Sequence, residues 1–380
     1  MKRVLQSVGI MAAALAFQLP LLASKCPIAD GATLAVRAPI GNLRVDTTGQ
    51  GAVEVAVTST DITLKENCVS RDRVEYSAVA PSPLRGSVDW KIVVPRNVNL
   101  DLVTLGGSIS MSDTDASATL RTTGGSVTVG RIKGKAAIIT QGGFIKAGDI
   151  GDSAELRSSS AGSLEVGNIN GNADLHTAGG PITVGTVTGK IIAESAGGDI
   201  FIKGARGEVW VQTEAGDIFI GDASQITAKT AGGKITNSKV RGPFKGHTES
   251  GDIRLESAGA WVEASTGYGT IYCKLNPEKL EGDLHVDLQT GVGDITIWIP
   301  ERLKANIDAI VERPAANGRR IITDFPMATA NALASLPQVK PSVTSRFAQP
   351  DRQQFPLNGG GNPMRLHTSL GKIEIFRIKL

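Results

Sequence analysis

Aromatic rings, cysteines and long apolar runs are all scarce in this 380-residue chain. Phe, Trp and Tyr together make up 4% of it, so its core cannot rest on the large rings that fill many globular interiors. The three cysteines, Cys26, Cys68 and Cys273, have no metal-ligand spacing between them. Past residue 24 no stretch reaches the roughly eighteen uninterrupted apolar residues of a membrane-spanning helix. Lys plus Arg at 40 against Asp plus Glu at 37 gives +3 with the signs interspersed. Without a basic stripe to follow phosphates, nucleic acid is not an expected partner. No serine, histidine and acid stand in a nucleophile motif, and no phosphate-cradling glycine loop precedes a helix, so no cofactor is expected.

Glycine is abundant, at 45 residues, and lacks the every-third spacing of collagen. It falls instead in a returning phrase: GGSIS at Gly106, GGSVTVG at Gly124, GGFIKAG at Gly142, GGPITVG at Gly179, GGDIFIKG at Gly197, AGDIFIG at Ala215, SGDIRL at Ser250 and VGDITI at Val292. The second glycines of all the copies stand at 107, 125, 143, 162, 180, 198, 216, 233, 251, 269 and 293, steps of 17 to 19 with a last step of 24. A fixed period of this size is the mark of a repeat array.

With the second glycine as position 0, apolar residues collect at positions 2, 4, 7, 11 and 13, and small or hydroxyl residues at 15. The coil after Gly125 reads Val127, Val129, Ile132, Ala136, Ile138, Thr140. Alternation by two within each group is the period of a strand with one buried face, not of a helix. Glycines near positions 5 and 9 are suited to the positive φ of tight corners. One such unit cannot bury its apolar face alone, but stacked units bury a continuous column. The expected fold is all-β, a parallel β-helix of about 18-residue coils with degenerate β coils capping both ends. At about 4.8 Å per stacked strand, ten or eleven coils make a rod on the order of 50 Å long. The spacing lacks a strict six-residue beat, which favours right-handed winding.

Residues 1–24 read as a secretory signal peptide: Lys2 and Arg3, an apolar stretch from Val8 to Leu22, then Ala23 and Ser24, near which cleavage is expected. The mature protein is therefore expected outside the cytoplasm, in the periplasm, on the cell surface or secreted. Lys25 occupies the place before Cys26 where lipid attachment needs a small residue. Residues 25–99 form an N-terminal β region and cap, 100–300 the repeat array, 301–323 a β extension and 324–363 a flexible loop rich in Pro, Ala and Gly. Residues 364–380 are closing strands, with Gly371, Ile373 and Ile375 repeating the phrase. Cys26 and Cys68 flank the first β region, and an oxidising compartment permits a bridge between them. Cys273 takes a core position, as a buried small hydrophobe.

Three groups of polar or aromatic residues are candidate sites. Asp199, Asp217, Asp252 and Asp294 recur at position 1. Aspartate after glycine suits a turn, and this reading is preferred; stacked carboxylates such as Asp199 and Asp217 also admit a calcium ion or an acid/base pair. His176 and His247 fall at outward position 14 four coils apart, too far to share an ion. Phe201 and Phe219 in adjacent coils and Tyr272 three coils on take outward position 3, and Trp210 takes outward position 12. Exposed rings in such numbers are either a binding face or a surface covered by the loop from Asp324.

The SGDI and GGDI copies, the VVP element leading into NLDLV, and the leader together resemble the bacterial putative-adhesin family of extracytoplasmic β-solenoids of unknown function, over roughly residues 40–300 and the last dozen. The resemblance implies a solenoid of surface or periplasmic location and transfers no binding residue. Bactofilin-like scaffolds also have β-helical coils of this length, but they lack a secretory leader.

Coils held at 17 to 19 residues from Gly107 to Gly269 leave no room for the long loops that wall the clefts of β-helical enzymes. The expectation is thus a non-enzymatic, adhesin-like protein whose partner is a surface component, glycan or protein, with self-association possible. The alternatives are a carbohydrate-active enzyme with a shallow carboxylate site and a self-assembling structural scaffold.

Overall fold

The computed structural model describes residues 22–59, 62–79, 88–313, 320–326 and 350–379, and every regular element in them is a strand. The leader up to residue 21 and residues 327–349 of the Pro-rich stretch lie outside the described residues.

In the coil after Gly125 the strands are Val127–Val129 and Ala136–Thr140, with Ile132 between them as a single bridging residue. The side chains at positions 2, 4, 7, 11, 13 and 15 are buried and those between them are not. Successive coils stack in parallel and in register, so like positions pile on like. Position 2 runs as one ladder from Leu43 through Ile109, Val127, Ile145, Leu164, Ile182 and onward to Ile271, Ile295 and Ile373. No rung of it is more than 1% exposed. The architecture is the expected β-solenoid, wound around a dry aliphatic spine.

Coil length varies only at corners. The 17-residue step loses its residue between Ala223 and Gln225, opposite Ala205 and Glu208. The 24-residue step adds its residues between the strands Ile271–Leu275 and Val286–Val292. Strands tolerate no such change, because a slip of one residue would turn every inward side chain to solvent.

The position-0 glycines are required by crowding. A Cβ on Gly125 would lie 2.3 Å from the carbonyl oxygen of Gly107, and one on Gly198 2.2 Å from that of Gly180. The preceding glycine of the phrase has room: a Cβ on Gly124 meets nothing nearer than 3.6 Å, and Ala161 and Ala215 fill the same place in other coils. The corner glycines near positions 5 and 9 likewise correct the expectation of positive φ. Gly130, Gly148, Gly167 and Gly171 have none, and the coil below crowds these corners instead: a Cβ on Gly171 would lie 2.8 Å from the Asp152 carbonyl carbon and one on Gly130 2.3 Å from the Asp113 carboxylate.

A second ladder is polar and buried. Position 15 holds Thr or Ser from Thr104 to Thr368, and each hydroxyl donates to the carbonyl of a position-0 glycine, as Thr122 to Gly107 at 2.6 Å, Thr140 to Gly125 at 2.7 Å and Thr248 to Gly233 at 2.9 Å. In several coils the same hydroxyl accepts the N–H of the next coil's glycine, as from Gly143 to Thr140 at 3.2 Å and Gly198 to Ser195 at 2.9 Å. The hydroxyl clamps two corner backbones together where no strand pairing reaches them, which satisfies polar groups that burial would otherwise penalise.

At both ends spatial order departs from chain order. The strands Thr33–Ala38 and Asn42–Asp46 stack directly on Asn99–Thr104 and Ile109–Met111. The intervening segment climbs outward, placing Arg73–Val79 and Asp89–Val93 as a further level beyond them. Antiparallel strands then close that end: Thr63–Asn67 on one face, and Ala52–Val57 followed by Leu22–Pro27 on the other. The C-terminal end mirrors this. Asn362–Leu370 and Ile373–Ile378 sit on the last array coil, Ala305–Val311 and Ile321–Thr323 lie beyond them, and Asp351–Leu357 closes the stack antiparallel. The stretch 324–363 is therefore corrected: it is not loop throughout, since its residues 351–357 form a capping strand on the outer coil.

Candidate functional site

The aspartates at position 1 are occupied by backbone. Asp199 Oδ1 accepts the N–H of Asp217 at 2.8 Å, and Asp217 Oδ1 that of Lys234 at 2.8 Å. Asp252 does the same for Thr270 and Asp294 for Lys372, each at 2.9 Å. Each carboxylate thus caps the corner of the next coil, where the chain leaves the glycine stack before strand pairing resumes. Lys234 lies 3.9 Å from Asp252. Among the described residues, the one group of three close metal-donor side chains is Cys26, Glu66 and Cys68, which does not include Asp199 or Asp217.

Cys26 and Cys68 are joined by a disulfide with their Cα atoms 5.7 Å apart, and the Tyr76 hydroxyl donates to Cys26 Sγ at 2.9 Å. Cys26 is 1% exposed and pairs with Val53, a position that leaves no sulfur free to carry a lipid. Cys273 is fully buried, and loss of solvation pushes its thiol up to about 12, so it is inert.

On the outer face of the second strand, charges interlock between coils. Arg157 bonds Glu155 and Asp174, each at 2.9 Å, and His176 bridges Asp174 to Glu194, with Nδ1 2.8 Å from the latter. His247 bonds Ser265, His285 bonds Asp283, and His367 bonds Glu312, so the histidines are spread along the rod in separate local pairs. Asp115, Glu263, Asp283, Asp308 and Glu312 all have carboxyls held below the usual range by hydrogen-bond donors, led by Lys133, Lys245, His285, Arg352 and Ser369 in turn.

The four aromatic residues singled out in the sequence do not form one patch. Phe201, Phe219 and Tyr272 share the outward column of position 3, interrupted by Thr236 and Arg254. Phe201 and Phe219 stack on each other, centroids 4.9 Å apart and planes within 6°. That separation equals the strand spacing, so the rings face one another along the rod and present their edges to solvent. Arg254 lies over the Tyr272 ring, 4.3 Å from its centroid. Trp210 stands on the other strand, in register between Ile192 and Thr227.

Beside Trp210 is a feature the sequence reading missed. A groove of about 590 Å³ runs along the second strand over five coils, lined by Ser117, Ala137, Ser153, Asp174 and Ile192 among others. Positions 10 and 12 along it mix small residues such as Ser117, Ala137 and Ser153 with Lys135, Glu155, Asp174 and Lys190, a composition no different from ordinary surface variation.

Residues 182–312 match the family described as Toastrack DUF4097. The match spans about a third of the chain. It includes Phe201, Trp210, Phe219, Tyr272 and the four position-1 aspartates, whereas most of the groove lies on the coils before it. No curated protein matches the chain. Among solved structures, a putative adhesin from Bacteroides fragilis is 13% identical, covering 62% of this chain and 96% of its own, with a TM-score of 0.29. A putative cell adhesion protein from Clostridium sporogenes is 10% identical, covering 94% and 100%, with a TM-score of 0.16. At these values neither lends a residue role to the matched stretch or to the coils around it.

Proposed function

We propose that this protein is an extracytoplasmic, non-enzymatic, adhesin-like solenoid whose outer faces hold a cell-surface component. The observation that carries the reading is that, among the described residues, length variation in the array falls at corners. The described strand faces are continuous from coil to coil, a form suited to extended contact. Catalysis on a glycan would need one carboxyl held protonated beside an ionised one, whereas among the described residues the shifted carboxyls are pushed the other way. The Cys26–Cys68 bridge accords with an oxidising compartment.

Scaffold assembly by end-to-end stacking is disfavoured by the closing strands. Lys65 and Glu66 stud one outer strand, Lys25 and Pro27 another, and Asp351, Arg352 and Pro356 the strand at the opposite end. Charges and prolines on an edge block pairing with a second edge. The test is retention of the purified mature protein on intact cells and cell-wall fractions of the producing bacterium, run beside sedimentation of the protein alone. Saturable retention by a monomer is expected. Filaments without ligand, or turnover of a polysaccharide by the protein, would replace this reading with one of the other two.

A further inference from the structure

We infer that the groove and Trp210 together bind a linear, uncharged polysaccharide lying parallel to the solenoid axis. The inference rests on the surface-binding reading above and names its ligand.

Trp210 differs from the other three tryptophans. Trp90 is buried and its indole N–H donates to the Ile40 carbonyl at 3.2 Å. Trp261 stacks on His285 with centroids 5.1 Å apart, and Trp298 packs on Phe376 at 4.8 Å. Among the described residues the half-exposed Trp210 has neither a ring partner nor an acceptor for its N–H. It offers an indole with no ring stacked on it for the C–H face of a sugar and a donor for a hydroxyl. The Phe201–Phe219 pair has its inner faces spent on each other.

The groove leads up to this ring. Ser117, Ala137 and Ser153 leave it shallow, and Ile192, one coil before Trp210, forms its near end. From the coil of Ser117 to that of Trp210 is five coil spacings, about 24 Å at 4.8 Å each. Charged side chains along it are balanced, Lys135 and Lys190 against Glu155 and Asp174, so neither an anionic nor a cationic polymer is favoured. Carboxylates, ammonium groups and the Asn172 amide supply the mixed acceptors and donors that hydroxyl groups need. An added peptide strand is not accommodated. The backbone N–H and C=O groups of Ala118, Ala136, Ala154 and Ala173 are already used in parallel ladders from coil to coil. A hexopyranose with its linking oxygen is about as long as one coil is tall. A chain along the axis therefore advances by about one coil per unit and meets a different mix of hydroxyl, amide and charged groups at each.

The experiment titrates the full mature protein with neutral hexasaccharides of glucose, mannose and xylose in α and β linkage, read by calorimetry and tryptophan fluorescence. At least one is expected to bind. Trp210→Ala should raise its Kd at least tenfold, Trp210→Phe should retain part of the affinity, and Ala137→Arg should block the groove. Phe201→Ala with Phe219→Ala should leave Kd within twofold, each variant having wild-type near-ultraviolet circular dichroism. Full affinity in both Trp210→Ala and Ala137→Arg overturns the site. If no hexasaccharide binds while intact cells still retain the protein, the ligand class falls and the surface-binding reading stands. If cells do not retain it either, both fall.

Discussion

Replacing Thr140 by Val tests the buried hydroxyl ladder at one rung. Thr140 is fully buried, donates to the Gly125 carbonyl at 2.7 Å, and accepts from the N–H groups of Gly142 at 3.3 Å and Gly143 at 3.2 Å. Valine keeps the shape and the strand preference but removes donor and acceptor together. The lost hydrogen bond is worth about 1 kcal/mol net, and stranding buried backbone partners adds about 1–3 kcal/mol. The added methyl returns up to about 0.8 kcal/mol. The net destabilisation should be about 2 kcal/mol, seen as a lower urea midpoint with an unchanged slope. The control is Thr128→Val on the exposed strand face of the same coil, which should stay within about 0.5 kcal/mol. Equal shifts for the two variants would refute the clamp and leave position 15 as a matter of size alone.

Three further outcomes follow from the packing and the charges. Gly125→Ala should destabilise by at least about 2 kcal/mol because its Cβ would meet the Gly107 carbonyl at 2.3 Å, while Gly124→Ala should be near neutral, both read from urea midpoints. Phe244 fills the space over Gly246, where a Cβ would come within 2.6 Å of the ring, so Gly246→Ala should destabilise alone and be largely rescued by Phe244→Val in a double-mutant cycle. Arg352 holds Asp308 below the usual carboxylate range, and Ser369 with His367 does so for Glu312, both in the C-terminal cap. A depressed folded pKa adds stability above the unfolded range near 4 and loses it as pH falls below, so wild type should lose the cap in acid and Asp308→Asn should show a flatter pH dependence of melting there.

The coil was legible in the sequence because parallel stacking forces like residues onto like positions. Once Ile182, Ile200 and Ile218 recur at one offset, their shared ladder follows. The same logic identified position 15 as small or hydroxylated but not as a clamp, since its partner is a backbone carbonyl that no side-chain pattern reveals. The glycines were read as conformational, and their contacts show them to be steric: the constraint on Gly125 comes from Gly107, eighteen residues away in the chain. The ends were the least legible. Leu43 stacks on Ile109 with more than sixty residues between them, and Ile295 stacks on Ile373 in the same way, so periodicity along the chain cannot display the order in space. For the candidate sites, position 3 was rightly read as a column, with Phe201 exposed and Phe219 half-buried beside it. Whether a ring is stacked, as Phe201 is on Phe219, or without a ring partner, as Trp210 is, depends on neighbours in adjacent coils and has no signature in the spacing.

Distances between spin labels along one outward column test the stack most directly. Single Thr→Cys changes at residues 128, 236 and 296 place labels at position 3 of coils six and then three steps apart, and the native cysteines do not interfere, two being bonded and Cys273 buried. Backbone separations should be about 29 Å for 128 to 236 and about 43 Å for 128 to 296, growing by about 4.8 Å per coil. Separations that fail to scale with coil number would contradict a continuous stack.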